Sequence, residues 1–535
     1  MTMKKLLHFA TFATSLLLAT SAIAAPPPDL DARIEAAMQA YDTPGFAVSI
    51  VEDGKVVHAK GYGVRKLGSP EKVDADTIFP TGSTGKAVTT AAIAILVDEG
   101  KLGWDDKVID HLPDFRMHDA WVTREMTVRD LLVHRSGLGL GAGDLLYVPR
   151  TNRSRADVVR ALRHIAPATS FRSGYAYDNI LYVVAGELVA AVSGQSWESF
   201  IRDRVFRAAG MDDSVSDEAE RFANPNRAHP HARIDGRVRG LGTQVVLPER
   251  EGLGQVAAPA GGLSSSANDL ARWLQVQLAH GALPGGEGMR LYSEASAREM
   301  WTPQVLTPVR AYPPPISDMT PQFSSYALGW SVQDYRGVKT VQHGGAVFGV
   351  LTMVVLVPDR ELGFALQMNS EDYPVLRGVM NELLDHYLGF PKRDWVAAFG
   401  EWNEKRLADG AAALEAATAG ASKHTKPSLP LGQYAGDYVD NWYGPIAVAF
   451  DKGAGDRQGL RIDFRQTPNM AGTLEHYQYD TFIARWDDAA IEPAYVTFNL
   501  DAEGKVARIT MKAVSPLADF SYDYQDLLFT PRLAE

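Results

Sequence analysis

One stretch of the sequence constrains the fold more than any other: the apolar run from Ala87 to Val97, which directly follows Ser83-Thr84-Gly85-Lys86. A helix built from this run is apolar on nearly every side, so the sequence predicts a helix buried in the middle of a domain. Ser83 then lies at the helix start, and Lys86 follows three residues later on the same face. The serine hydroxyl and the lysine amine are therefore expected to meet.

This pairing suits acyl transfer. A serine hydroxyl is a good nucleophile only when a neighbouring base takes its proton, and a lysine can be that base when burial lowers its pKa. The alternative is that Ser83 only caps the helix and that Lys86 extends to solvent. A second match to the spacing, Ser69-Pro70-Glu71-Lys72, has no apolar run behind it and is interpreted as a surface turn. A phosphate-binding loop is excluded because Pro80 and Ala87 occupy positions that need Gly and Ser or Thr.

Tyr177 and Asn179 directly precede a second apolar helix, predicted over residues 180–192. A tyrosine beside a lysinium would have a lowered pKa, which suits a proton carrier. The alternative is a packing tyrosine whose hydroxyl caps a neighbouring group. His134 and Ser136 also suggest catalysis, but they lack a carboxylate and a base at useful spacing, so we interpret them as loop-shaping residues.

His343-Gly344-Gly345-Ala346 stands between two predicted strand pairs. Glycines at a strand end let a ligand approach the backbone closely. The N–H of Ala346, together with that of Ser83, would form a two-donor oxyanion hole. His343 beside it is interpreted as a substrate contact or proton carrier, with a structural histidine as the alternative.

The chain has 535 residues, of which 46% are hydrophobic and 22% charged, which indicates a globular protein of two or three domains. Residues 1–24 have the charged start, apolar middle and small-residue end of a signal peptide, and an uncleaved anchor is the alternative. The chain has no cysteine, hence no disulfide. Its net charge of −12 argues against nucleic acid or an anionic membrane as partner. We expect a periplasmic or secreted protein with no further membrane span.

The pattern along the chain predicts three parts after the signal peptide. Residues 26–390 begin with a hairpin around Asp53-Gly54 and end with further strands and a helix. Residues 391–430 are predicted to be a helical linker with an alanine-rich helix over Asp409 to Ala421. Residues 431–535 change to short alternating strands with Asp and Gly turns, which indicates a small all-β barrel or sandwich.

Ser83-x-x-Lys86, Tyr177-x-Asn179 and His343-x-Gly345, in this order, resemble the motifs of the serine β-lactamase and penicillin-binding-protein-like hydrolases. The resemblance covers residues 30 to 390 and is strongest to the branch of class C β-lactamases, D-aminopeptidases and esterases. The tail from residue 431 resembles a β-barrel domain often appended to that family. The implied fold is α+β, with an antiparallel sheet made of both chain ends, flanking helices and an all-helical lobe.

The same resemblance implies the roles of the site residues. Ser83 would be the nucleophile, Lys86 its activating partner and Tyr177 the general base, while Asn179 would contact the substrate amide. The reaction would pass through an acyl-enzyme, with no metal and no organic cofactor. In β-lactamases the third motif usually begins with lysine, so a neutral His343 makes efficient β-lactam hydrolysis unexpected. Asp178 would disfavour anionic substrates if it pointed inward.

Three functions follow from this reading. The first is an exported peptidase or amidase for short linear peptides, including peptides with D-residues or peptides from ring-opened cycles such as linearised microcystin. The second is a carboxylesterase or lactonase for small acyl esters. The third is a penicillin-binding or sensor module that is acylated and deacylates slowly. The sequence leaves the choice among them, and the oligomeric state, open.

Overall fold

The structure is a computed structural model that describes residues 25–248, 253–422, 424–451 and 459–532. The predicted signal peptide lies outside the described residues. The helices are α1 Leu30–Ala40, α2 Lys86–Asp98, α3 Val108–His111, α4 Ala120–Glu125, α5 Val128–Leu132, α6 Arg155–Ala161, α7 Ile180–Ser193, α8 Trp197–Phe200, α9 Arg207–Ala209, α10 Glu218–Ala223, α11 Ala258–Gly261, α12 Ala267–Leu278, α13 Glu294–Met300, α14 Tyr373–Leu388 and α15 Trp395–Ala419.

The strands fall into two groups along the chain. Those of the first domain are β1 Gly45–Glu52, β2 Lys55–Gly63, β3 Phe79–Pro80, β4 His231–Arg233, β5 Gln244–Val246, β6 Ser264–Ser265, β7 Val305–Leu306, β8 Ser324–Tyr326, β9 Ser331–Tyr335, β10 Val338–Val347, β11 Val350–Val357 and β12 Leu362–Met368. Those of the last domain are β13 Gly436–Asp440, β14 Gly444–Asp451, β15 Gly459–Asp463, β16 Ala471–Gln478, β17 Thr481–Trp486, β18 Ala494–Leu500, β19 Val506–Ala513 and β20 Leu528–Pro531.

The main sheet joins the two ends of the first domain. Its order is β2-β1-β12-β11-β10-β9-β8-β7, and neighbouring strands run antiparallel. The predicted α+β fold, with a sheet drawn from both chain ends, is confirmed. One local prediction is wrong: His343-Gly344-Gly345-Ala346 does not lie between strands but inside β10, where Gly345 is opposite Thr352 of β11.

Helices cover both faces of this sheet. Apolar residues of α1, α14 and α15 pack on one face, because alternate residues of β1 such as Phe46, Val48 and Ile50 point that way. The opposite face meets α12, where the Ser49 hydroxyl donates to the carbonyl of Ala267. Beyond α12, the buried helix α2 and the apolar helix α7 form the centre of a helical lobe.

The helix predicted at Asp409 to Ala421 is longer and begins earlier, because α15 spans Trp395–Ala419. Its first half contains Gly400 and mixed charged and aromatic residues, which weakened the helical pattern in the sequence. Trp395 and Phe399 are buried, and α15 packs along α14. This segment is therefore a packed part of the fold over most of its length.

The last domain is a closed antiparallel barrel of eight strands, β13 to β20, so the barrel prediction is confirmed. Its segment Leu517–Asp523, between β19 and β20, reaches the first domain. There the Asp523 carboxylate accepts hydrogen bonds from the backbone N–H groups of Gly143 (2.7 Å) and Leu145 (3.0 Å).

Among the described residues, no single helix is long and apolar enough to cross a membrane. The helical stretches Ile180–Ser193 and Trp197–Ala209 meet the same length and composition criteria only when taken together across a 75° bend.

Candidate active site

Ser83 lies in a tight turn that leads directly into α2. Residues Gly82–Gly85 form a 3-10 turn, and the carbonyl of Thr81 accepts hydrogen bonds from the hydroxyls of Thr84 (2.8 Å) and Thr352 (2.6 Å). Gly82 has φ +52°, and a Cβ there would lie 2.7 Å from the backbone nitrogen of Ala346. Glycine is needed at this position because β10 passes so close to the turn.

The same closeness brings together the two backbone N–H groups predicted to hold an oxyanion. A Cβ on Gly345 would lie 2.1 Å from the carbonyl oxygen of Thr81 and 3.1 Å from the backbone nitrogen of Ser83. The turn and β10 therefore meet backbone to backbone, with Ser83 half-buried and Ala346 exposed on the cavity side. The backbone segments that carry the two N–H groups therefore adjoin, and their role as a two-donor oxyanion hole stays a prediction.

Lys86 is completely buried, and its Nζ lies within hydrogen-bond distance of three oxygens. They are Ser83 Oγ at 2.9 Å, Asn179 Oδ1 at 2.7 Å and the carbonyl of Ala260 at 2.7 Å. Two of these oxygens belong to carbonyl groups, which only accept. The two hydrogens of a neutral amine would go to Asn179 and Ala260, and the lone pair would face the Ser83 hydroxyl.

Burial lowers the pKa of Lys86 to about 7, although the carboxylates of Asp144 and Asp178 act in the opposite direction. Removing an ammonium from water disfavours its charged form, and here that effect outweighs the attraction of two nearby acids. A large fraction of Lys86 is therefore neutral near pH 7, which is the state that can accept the Ser83 proton.

Tyr177 is placed beside Lys86, but the sequence-based argument about its pKa is wrong. Nζ of Lys86 lies 4.9 Å from the centre of the Tyr177 ring. Burial raises the pKa of Tyr177 well above its usual range, and the nearby Ser83 hydroxyl opposes this only in part. The phenol is therefore protonated, and among the described residues its buried hydroxyl makes no well-formed hydrogen bond.

His343 is buried behind the turn and does not line the cavity. Its Nε2 is paired with the Tyr326 hydroxyl at 2.9 Å and its Nδ1 with the carbonyl of Gly344 at 2.7 Å. Burial lowers the pKa of His343 to about 3, so the side chain is neutral. Both ring nitrogens are thus occupied inside the protein, and a role as substrate contact or proton carrier stays a prediction.

The negative charge of Asp178 is turned away from the cavity. Its side chain is completely buried and accepts a hydrogen bond from the Ser136 hydroxyl at 2.8 Å. His134 Nδ1 accepts from the backbone N–H of Asp178 at 3.1 Å, and burial lowers the pKa of this histidine. The structure thus brings a carboxylate to both His134 and Ser136, contrary to the sequence argument that they lack one. All three side chains are buried and none borders the cavity, and a role in shaping the loop stays a prediction.

Asp144 is a site residue that the sequence did not reveal. Its carboxylate accepts hydrogen bonds from Asn179 Nδ2 (2.8 Å), the Tyr147 hydroxyl (2.6 Å) and the hydroxyl of Ser521 in the barrel domain (2.8 Å). Burial raises the pKa of Asp144 to about 6. Asn179 thus connects Asp144 to Lys86, and the last domain completes the polar network.

The site opens into a cavity of about 520 Å³. We define its floor as Ser83, Lys86 and Asn179, and its roof as the α15 residues Trp402 and Arg406 together with barrel segment Leu517–Tyr522. Ser83, Asn179, Ala346, both α15 residues and Leu517 all border the cavity. Phe520 stands edge-on to Tyr177, with ring centres 5.9 Å apart.

Within the described ranges, no three histidine, aspartate or glutamate side chains cluster in a way that would hold a metal ion.

Comparison with known proteins gives the same two parts. The Beta-lactamase family model matches residues 30–388, and a domain of unknown function, DUF3471, matches residues 421–531. An unguisins hydrolase of Aspergillus violaceofuscus is 26% identical over 490 residues, which cover 85% of this chain and 82% of that protein. Penicillin-binding protein 4 of Amycolatopsis lactamdurans is 31% identical over 342 residues, 63% of this chain and 84% of that protein.

The fold is also shared with a solved structure. An octameric penicillin-binding protein homologue from Pyrococcus abyssi matches with a TM-score of 0.58 at 22% identity, covering 94% of this chain and 99% of that one. At this identity the likeness concerns the fold. The Beta-lactamase family model matches most of the chain. The chain therefore belongs to the Beta-lactamase family of serine hydrolases and penicillin-binding-protein relatives.

Proposed function

We propose that this serine hydrolase cleaves amide bonds of short linear peptides through an acyl-enzyme on Ser83. One observation carries the proposal: a buried lysine with a pKa of about 7 lies 2.9 Å from a serine hydroxyl at the floor of a roofed cavity. Short peptides with D-residues, or from ring-opened cycles, are the substrates we expect. The relative named as an unguisins hydrolase is in keeping with hydrolysis but does not identify a substrate here.

The first half of the reaction follows from the contacts of Lys86. Neutral Nζ takes the proton of Ser83 Oγ, and the oxygen attacks the carbonyl carbon of the substrate. The N–H groups of Ser83 and Ala346 hold the negative oxygen of the tetrahedral intermediate. Asn179, on the cavity wall, positions the substrate amide while its Oδ1 keeps the Nζ of Lys86 in place.

The protonated state of Tyr177 favours an amide over an ester as substrate. An amine leaves only after it gains a proton, whereas a phenolate leaves without one. The Tyr177 hydroxyl donates this proton, and the ammonium of Lys86 returns one to the phenolate. Water then attacks the acyl ester while Lys86 accepts its proton. When the tetrahedral intermediate breaks down, the ammonium of Lys86 returns that proton to Ser83 Oγ, the bond between Oγ and the acyl carbon breaks, and the carboxylic acid is released. In this scheme Tyr177 is a proton donor and relay rather than the initial base predicted from the motif.

The test is a paired panel in which one acyl group is offered as a short peptide, with L- or D-residues, and as a p-nitrophenyl ester. We expect peptide turnover that disappears in Ser83→Ala. Tyr177→Phe should lower peptide turnover by about 100-fold or more and ester turnover much less. Hydrolysis of the ester without hydrolysis of the peptides would overturn the peptidase proposal in favour of a carboxylesterase. A stoichiometric burst without steady turnover would indicate a penicillin-binding or sensor module.

Export is a separate part of the proposal and rests on the N-terminal sequence pattern alone. We propose cleavage after Ala24 and a periplasmic or secreted location. Determination of the N-terminus of the protein from a cell fraction tests this. An N-terminus at Ala25 in the exported fraction supports it, and an intact N-terminus in the membrane fraction contradicts it.

A further inference from the structure

The roof of the cavity carries an arginine that none of the motifs explains. Trp402 and Arg406 are four residues apart on α15 and so lie on the same side of the helix. Both border the cavity that Ser83 opens into. One turn further along, Gly410 packs against Leu517 of the barrel, where an added Cβ would lie 2.5 Å from a methyl carbon. This side of α15 is therefore held in place over the cavity.

Among the described residues, Arg406 has no acidic partner. Its Nε and Nη2 both donate to the side-chain oxygen of Asn403, at 3.2 and 2.9 Å, and that amide is neutral. No carboxylate of the described residues lies within 4 Å of its guanidinium. Burial lowers the pKa of Arg406, because a half-buried cation is left with only weak compensation.

A second arginine that borders the cavity, Arg239, has a guanidinium that is paired with a carboxylate, and it serves as a comparison for Arg406. Its Nε and Nη2 donate to the two carboxylate oxygens of Glu371, each at 2.7 Å, and Nη1 donates to the carbonyl of Ala490 at 2.9 Å. Burial acts against its charge, yet Glu371 raises the pKa of Arg239 above its usual value. Within the described part of the chain, a carboxylate pairs with Arg239 and none pairs with Arg406.

A partly buried cation without a counterion is costly, and a ligand anion removes that cost. The planar guanidinium fork matches a carboxylate, which it can bind through two parallel hydrogen bonds. Glu492 and Asp519 also border the cavity, so a singly charged carboxylate fits better than a more highly charged phosphate. Trp402 and Tyr373 beside Arg406 add apolar walls for the chain that carries the carboxylate.

We propose that Arg406 binds the terminal carboxylate of the substrate, and that the Ser83 site prefers linear peptides with a free carboxyl terminus. This inference rests on the proposed peptidase function and narrows its substrate class. Arg406 would act in specificity, because it borders the cavity from the roof and takes no part in the contacts of Ser83 and Lys86.

The test compares three peptides of one sequence: the free acid, the C-terminal amide, and the amide with one internal residue replaced by glutamate. In the wild type, kcat/KM for the acid should exceed that for the amide by about 10- to 100-fold. In Arg406→Gln the ratio should approach one, mainly through a higher KM for the acid. Arg406→Lys, which keeps the charge but loses the fork, should give an intermediate ratio.

Lys405→Gln is the matched control, because Lys405 is exposed on the same helix and is paired with Asp409. It removes the same charge and should leave the acid-to-amide ratio at the wild-type value. Thermal unfolding of each variant shows whether the fold is retained. Equal rates for acid and amide in the wild type, or a preference that survives Arg406→Gln, would overturn the proposal. Rescue of the amide by internal glutamate would overturn the assignment to the chain terminus.

The proposal can fail separately from the peptidase function. If the wild type hydrolyses the ester and no peptide, the proposed peptidase function is overturned. The same three peptides then serve as competitors of ester hydrolysis. A lower inhibition constant for the acid than for the amide, abolished in Arg406→Gln, would still support carboxylate binding by Arg406, and equal constants would overturn it.

Discussion

The floor and the roof of the cavity are built in opposite ways. The floor comes from the first domain alone, and protein groups satisfy the amine of the fully buried Lys86. The roof is assembled from α15 and the barrel. Phe520 is 38% exposed, and Arg406 has no acidic partner among the residues that the structure describes. A preorganised floor suits one type of bond cleavage, whereas unused binding groups in the roof suit selection among substrates. Under the two proposals made above, chemistry and selectivity would reside in separate parts of the chain.

The largest effect should come from the floor, by changing Lys86. Lys86→Ala removes the amine that lies 2.9 Å from Ser83 Oγ, so kcat/KM should fall by about 10²- to 10⁴-fold. Lys72→Ala is the control, because Ser69-Pro70-Glu71-Lys72 has the same spacing and Lys72 is exposed. Steady-state kinetics on one peptide checks both, and Lys86→Met keeps more of the side-chain volume if the alanine variant unfolds. Activity within threefold of the wild type in a folded Lys86 variant would contradict the role of Lys86 as the base that activates Ser83.

A second prediction concerns the pH dependence of the floor. Lys86 must be neutral to accept a proton, and its pKa is about 7, so kcat/KM should rise with pH through about 7. The Asp144 carboxylate raises the pKa of Lys86, so Asp144→Asn should lower it and move the rising limb to lower pH. Asp359→Asn, an exposed position in the turn between β11 and β12, should leave the limb unmoved. A limb that stays in place, or moves to higher pH, in Asp144→Asn would contradict the assignment of the limb to Lys86.

The smallest effect should come from the hydrogen bond between Ser521 of the roof and Asp144, which is the partner of Asn179 in the floor. Ser521→Ala removes one of three side-chain donors to Asp144, so kcat/KM should fall by only about 2- to 10-fold. Thr473→Ala, at an exposed position on β16, should have no effect. The same kinetic assay decides. A loss as large as that of Lys86→Ala would show that roof and floor act as one unit.

The sequence predicted the parts of the fold that local pattern determines. The bounds of β1 and β2 follow from alternating residues around Asp53-Gly54, and α2 follows from an apolar run. The first half of α15 was missed because its helical state depends on packing against α14, which no local pattern records. His343 to Ala346 were placed outside a strand because two glycines weaken the strand pattern, yet pairing with β11 holds them inside β10.

The same limit applies to the site. Ser83 and Lys86 are three residues apart, so their contact follows from helical geometry. The other residues at the cavity are distant from Ser83 in the sequence, and none of them stands in a distinctive motif. Asp144 comes from a loop, Ser521 from the barrel domain and Arg406 from helix α15. The pKa of Tyr177 was misjudged because the sequence shows its charged neighbour but not its burial, and burial is the larger effect.

The contacts of the barrel with Asp144, Gly143 and Leu145 also bear on the order in which the domains fold and the site becomes complete. Domains generally fold as units in the order in which they leave the ribosome. Ser83 and Lys86 precede the barrel in the chain, so they leave the ribosome before Ser521 and Asp523, which make these contacts. We therefore expect the hydrolase to reach full activity only after the barrel has folded and docked on the first domain.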